Sequence, residues 1–162
     1  MAAPVLAQDS VQEKYVPTIW IDPDGCEHWV MDDGVEGYMD ARQTRDGRPV
    51  CHRDVCGVIP TDQLFATDKS AITGSGRKYL ENFFRTAQAR SFIITGHTDS
   101  RASDEYNMSL SKRRATTVAG VAEGVGASVL AVNWYGERMP RATNATTKGM
   151  AENRRVEIIC VK

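Results

Sequence analysis

No apolar run in this 162-residue chain approaches the roughly 20 residues that a membrane-spanning helix requires. The chain also lacks an excess of charge of either sign. Its 20 Lys and Arg stand against 21 Asp and Glu, a formal net charge of -1. That balance argues against nucleic acid as a partner, because phosphate binding needs clustered cations. It also argues against a polybasic membrane anchor. Cysteine is present, but not as a Cys-x-x-Cys pair: Cys51 and Cys56 are too far apart for the usual redox or zinc motif. Cys26 follows Asp22-Pro-Asp-Gly25 rather than an apolar stretch, so it does not read as a lipidation cysteine. No internal repeat or low-complexity tract is visible.

What is present is ordinary for a globular protein: 41% hydrophobic and 25% charged residues, enough apolar content for a real core. Two regions differ in texture, with an expected boundary between residues 57 and 58. Residues 1–57 are rich in Gly, Pro, Asp and Cys. At the start, Val5-Leu-Ala7 before Gln8 reads either as the tail of a secretory signal with its small-residue cleavage site or as an arbitrary flexible arm. Thr18-Ile-Trp-Ile21, the turn Asp22-Pro-Asp-Gly25 and Cys26-Glu-His-Trp-Val-Met31 predict a β-hairpin, since Pro presets φ and Gly accepts a positive one. Trp20 and Trp29 are expected to form a small core there. Asp32-Asp-Gly34 ends the second strand, and residues 42–49 read as loop. So small a unit needs bracing, and Cys26 is expected to pair with Cys51 or Cys56. A zinc site built from Cys26, His28, Cys51 and Cys56 is the less favoured alternative. Asp22, Asp24 and Glu27 lack the ligand spacing of a calcium loop.

Residues 58–162 alternate strands and helices. Thr73-Gly-Ser-Gly76 precedes a helix running to about Ala89, with Tyr79, Leu80, Phe83, Phe84 and Ala87 at helical spacing. Ser91-Phe-Ile-Ile-Thr95 reads as a buried strand, and Gly96-His-Thr-Asp-Ser100 as the loop at its end. Ser103 is a good N-cap for a second helix, and Asp104 and Glu105 suit its positive end. That helix should end near Gly124 or Gly126. Val129–Tyr135 and Asn153–Val161 read as two further strands. This order predicts an α/β sandwich with helices on a mixed sheet, the hairpin being an appendage.

On the second helix, Asn107, Leu110 and Arg114 share a face that continues into the apolar Val118 and Val121. The face therefore points inward. Asp99 lies at a strand end close to the helix's first turns. An inward Arg and a nearby loop carboxylate should not be left unpaired. Either they pair with each other, fixing loop to helix, or a ligand supplies the counter-groups. Spacing alone favours the ion pair. His97, beside them, has no assignable nucleophile or orienting acid, so catalysis is not expected.

Phe92-Ile-Ile-Thr-Gly-His-Thr-Asp99, Tyr106-Asn-Met-Ser-Leu-Ser-Lys-Arg-Arg-Ala115 and Asn153-Arg-Arg-Val-Glu-Ile158, in this order, resemble the OmpA-like C-terminal domain family. Phe65-Ala-Thr-Asp-Lys-Ser70 is similar to the family's opening segment. The resemblance covers about residues 58–162 and implies a βαβαββ-like sandwich in the periplasm, associated with the outer membrane or cell wall. It implies non-covalent binding of peptidoglycan at the diaminopimelate-containing stem peptide, without metal or cofactor, anchoring an envelope component to the wall. By the same resemblance Asp99 receives the ligand's ammonium and Arg114 its carboxylate. Asp68, Thr98, Asn107, Leu110 and Arg154 take the supporting positions. A protein–protein adaptor that uses the fold as a scaffold for an envelope partner is the alternative. The chain departs from the family pattern at Ala66, where Asp or Asn is usual, and at Ala102 and Trp134, where Gly is usual. If a ligand is the partner, the empty site should show the two charges facing a shared cleft rather than locked to each other.

Overall fold

The computed structural model describes residues 18–22, 25–32, 37–66 and 68–162. The leader-like segment before Thr18, Pro23 and Asp24 of the expected turn, and Gly34 lie outside the described residues. The chain forms two compact units, and Gly25 of the turn groups with the second, His52–Lys162, rather than with the first, which ends at Cys51.

The first unit is a three-stranded antiparallel sheet of β1 (Thr18–Ile21), β2 (Glu27–Asp32) and β3 (Gly37–Ala41), in that order. The expected hairpin is present, and β2 ends at Asp32. Asp22 ties the turn, accepting the Cys26 backbone N–H at 2.7 Å and contacting His28 Nε2 at 2.7 Å. Gly25 has φ of 84°, the left-handed conformation expected of a turn glycine. Trp20 and Trp29 do not form a common core. Trp20 is opposite His28 and Trp29 opposite Ile19, so period-two alternation sends them to opposite faces. They are 45% and 41% exposed. Trp29 instead lies under the Arg42 guanidinium, 5.5 Å from its ring centre.

A disulfide joins Cys26 to Cys51, one of the two expected pairings. Cys56 pairs with Cys160, not Cys26. Nothing in the sequence singles out Cys160 as a partner, because its sequence separation of 104 is bridged only by the sheet. With all four sulfurs in disulfides, none is a thiolate for zinc.

The second unit contains β4 (Arg53–Pro60), α1 (Thr61–Leu64), α2 (Gly74–Thr86), β5 (Ser91–His97), α3 (Asp104–Gly124), β6 (Val129–Gly136), α4 (Thr147–Asn153) and β7 (Arg155–Val161). Its sheet has the order β4-β7-β5-β6, with β5 and β6 parallel and the other pairs antiparallel. It is the mixed α/β sandwich anticipated. The expected boundary at residues 57 and 58 falls inside β4. The last strand begins at Arg155 rather than Asn153, because residues 147–153 form α4.

One face of the sheet packs on the helices. Phe92, Ile94, Val156, Ile158 and Cys160 meet Leu80 and Phe84 of α2 and Ala115, Val118 and Ala122 of α3 in one core. Thr73 caps α2 by accepting the Gly76 N–H at 3.1 Å. The helix therefore starts inside the glycine segment and stops at Thr86, where Ala87 is extended. Gly76, Leu80 and Phe84 form the buried row. Tyr79, one residue off that row, is 53% exposed.

Candidate functional site

The site is set by how closely α3 approaches the end of β5. A Cβ on Gly96 would lie 2.4 Å from the Ser111 carbonyl oxygen, so only glycine lets the two backbones meet here. At the end of β6, Gly136 has φ of 55°, and a Cβ there would reach 3.0 Å from the Met108 nitrogen. Gly136 N–H donates to Ser111 Oγ at 3.0 Å, and its carbonyl accepts the Thr98 N–H at 2.9 Å. These contacts fix the loop that carries Thr98 and Asp99 against the first turns of α3. Ser103 starts the helix as expected, its hydroxyl accepting the Tyr106 N–H at 3.3 Å. Asn107, Leu110, Arg114, Val118 and Val121 are all buried, as the helical spacing required.

A cleft of about 630 Å³ opens at this junction. It is lined by Asp68, Thr98, Asp99, Asn107, Leu110, Arg114 and Arg154, which are all the residues that the resemblance singled out for a ligand. Sequence reasoning did not find Asp62, Arg101, Ala102, Ser103 and Tyr106, which also line it. Three carboxylates thus face three guanidiniums around one cavity.

Asp99 and Arg114 are 5% and 4% exposed. Among the described residues no ion pair joins them. Asp99 Oδ2 instead accepts from Arg101 Nε at 2.9 Å and Arg154 Nη1 at 2.8 Å, while among the described residues Oδ1 has only the Arg101 backbone N–H at 3.2 Å. Burial pushes the Asp99 carboxyl's pKa up, but the Arg101 and Arg154 hydrogen bonds outweigh it, and the net direction is down. The group is therefore an anion at neutral pH. Arg154 also grips Asp62, with Nη2 2.8 Å from Oδ2, and this pairing raises its pKa further.

Arg114 is held differently. Its Nε donates to the Lys69 carbonyl at 3.0 Å, its Nη1 makes a long contact to Thr61 Oγ1 at 3.4 Å, and its guanidinium sits 5.4 Å from the centre of the Phe65 ring. Burial lowers its pKa, with Asp62 and Asp68 opposing, yet a guanidinium keeps its proton at any physiological pH. The outer edge of the Arg114 fork is thus left to the cleft. So is the Thr98 hydroxyl, which is buried and has no hydrogen-bond partner among the described residues. Such orphaned polar atoms are costly unless something else completes them.

Asn107 has a positioning role. Its amide nitrogen donates to the carbonyls of Asp99 and Ala102 at 3.1 and 3.3 Å and to Glu137 Oε2 at 2.5 Å. Ala102 thus serves the loop through its carbonyl, with no positive φ that would call for glycine. Asp68 is the residue that adopts one, at 54°. Leu110, 4% exposed, supplies an apolar wall. His97 lies just outside the cleft and turns to the opposite face of the sheet.

A charged cleft of this kind can hold a ligand end that carries both signs. Asp62 had no sequence signal, since its partner Arg154 is remote in the chain. Arg101 did have one: a cation two residues after a buried Asp can fold back on it, as it does here.

The family model described as the OmpA family matches residues 64–154. The chain is 38% identical to outer membrane protein A of Bordetella avium over 62% of its own length and 55% of that protein's. It is 38% identical to the peptidoglycan-associated lipoprotein of Legionella pneumophila, over 59% of this chain and 57% of that one. The chain thus spans about half, or less, of the length of the curated relatives it matches. Among solved structures, the cell wall anchor of the T6SS from Pseudomonas aeruginosa is similar at a TM-score of 0.54 and 31% identity, covering 64% of this chain and 78% of that one. The peptidoglycan-associated lipoprotein from Burkholderia pseudomallei shares the fold at a TM-score of 0.51 and 24% identity, covering 63% and 87%.

Proposed function

The chain belongs to the OmpA family, and on that footing we propose that it is a non-catalytic periplasmic module that binds peptidoglycan and anchors an envelope component to the cell wall. Relatives named as peptidoglycan-associated lipoproteins and a cell wall anchor support this reading. The ligand is the diaminopimelate-containing stem peptide, bound non-covalently. Its free end is a zwitterion, with an ammonium and a carboxylate on one carbon. Asp99 Oδ1 takes the ammonium, and the open edge of the Arg114 fork takes the carboxylate through paired hydrogen bonds. The Thr98 hydroxyl completes the polar set, and Leu110 covers the methylene stem.

The observation that carries this reading is that Asp99 and Arg114 are buried, line one cleft and are not paired with each other. Arg101 and Arg154 hold the carboxylate ionised with side-chain bonds to Oδ2, and Oδ1 carries the longer Arg101 backbone N–H bond of 3.2 Å, with room for a further donor. Truncating one partner of a buried, hydrogen-bonded charge pair costs about 2–5 kcal/mol, or at least about 30-fold in affinity. Asp99→Ala and Arg114→Ala are therefore expected to stay in the supernatant when the parent pellets with purified sacculi. Circular dichroism of both variants should match the parent. Parent-like pelleting of both variants would refute the assignment and favour a protein partner for the same fold.

A further inference from the structure

Helices α2 and α3 pack on one face of the four-stranded sheet. Side chains alternate along each strand, so Ile93 and His97 of β5 and Arg155, Glu157 and Ile159 of β7 point to the other face. An open cavity of about 630 Å³ lies there, bordered at one side by exposed Tyr135 and by the exposed segment Arg138–Arg141 that follows β6. It shares no lining residue with the cleft around Asp99.

Two observations mark it as a site. First, His97 is 3% exposed and lines the cavity, yet neither ring nitrogen has a hydrogen-bond partner among the described residues. Glu157 Oε2, at 3.9 Å from Nε2, is beyond hydrogen-bonding range. Burial, with Arg155 nearby, lowers the imidazole's pKa to about 4. At neutral pH it therefore offers one N–H donor and one bare nitrogen. Second, the wall is cationic. Arg53, Arg138, Arg141 and Arg155 line it together with one carboxylate, Glu157. Arg155 is spent on Glu157 Oε1 at 2.7 Å and on two carbonyls, and Arg138 on Asp104. The Arg141 guanidinium has no hydrogen bond or ion pair among the described residues, although its backbone N–H is held by Asn153 Oδ1 at 2.8 Å. The rest of the wall combines the apolar Ile93, Ile159, Met139 and Pro140 with the polar Thr95, Asn133 and Tyr135.

We propose that this cavity is a second binding site, for a small organic monocarboxylate with an apolar body. The carboxylate lies on the Arg141 guanidinium and the His97 N–H, and the apolar body covers Ile93 and Ile159. The Tyr135 ring, stacked on His97 at 5.7 Å and 40% exposed, tilts to admit it. The volume suits a small molecule rather than a polymer.

The test is a heteronuclear NMR titration of the whole chain with 3-phenylpropionate, against 3-phenylpropionamide as the uncharged control. Saturable shifts are expected at His97, Asn133, Tyr135 and Arg141, with the amide at least about 10-fold weaker. Arg141→Gln should weaken the acid by a similar factor while leaving sacculus binding intact. Any of three results would overturn the proposal: no saturation by about 20 mM, equal binding of acid and amide, or shifts confined to the Asp99 cleft.

Discussion

Asp99 and Arg114 differ in how completely the fold satisfies them. Asp99 is stabilised by two cations, whereas Arg114 rests on a carbonyl, a long hydroxyl contact and an aromatic face. Spacing placed Arg114, Asn107 and Leu110 on one inward face, and burial agrees. Spacing could not show that Arg101 and Arg154, rather than Arg114, neutralise Asp99. Those pairings depend on a loop turning back and on β7 lying beside β5. His97 yields a separate residue-scale prediction. Its pKa falls from 6.5 to about 4 on folding, so the unfolded chain binds the proton more tightly. Between about pH 6.5 and 4 stability should therefore drop as pH drops, by up to about 1.4 kcal/mol per pH unit. Urea unfolding across that window should show the slope in the parent and a shallower one in His97→Gln. An identical slope in the two proteins would mean that His97 is not the group responsible.

At the scale of elements, long periodic segments were legible and short ones were not. Helix α3 begins at the residue after its predicted cap and ends at Gly124, because twenty-one residues repeat one buried face. Strand β5 is buried along its whole length, as its short aromatic and β-branched run suggests. Helix α4 carries no sequence signal: Thr-Lys-Gly-Met-Ala-Glu-Asn is two turns with an internal Gly and no apolar period. Its function is local. Fully buried Asn153 accepts the N–H groups of Arg141 and Ala142 and donates to the Ala142 carbonyl. Strand β3 is equally silent in the sequence, lying between a Gly-containing segment and a polar loop. The approach of α3 to β5 at Gly96 is the element contact on which the cleft depends. Gly96→Ala should cost about 1–3 kcal/mol of stability through forced backbone movement. The same variant should weaken sacculus binding, since the turns carrying Asn107, Leu110 and Arg114 must shift. A variant as stable as the parent and binding equally well would show that this contact is loose.

For the molecule as a whole, each compact unit carries its own disulfide. Cys26–Cys51 closes the first. Cys56–Cys160 ties the opening strand of the second unit to its last, across a sequence separation of 104. A crosslink of that span removes unfolded-state entropy worth about 4–5 kcal/mol in the chain-entropy estimate. The small hairpin's need for bracing pointed to a Cys26 disulfide, but the second pairing became visible only once β4 and β7 were neighbours in the sheet. The sandwich itself was legible because several motifs occur in a fixed order, and that order also grouped the cleft residues that lie far apart in the chain. The central claim is recognition of a zwitterionic end, and isothermal calorimetry with two stem peptides tests it most directly. One peptide ends its side chain in the ammonium and carboxylate of diaminopimelate, the other in the ammonium of lysine alone. Zwitterion recognition predicts that the diaminopimelate peptide binds at least about 30-fold more tightly, because only it engages Arg114. Equal affinity for the two peptides would contradict it.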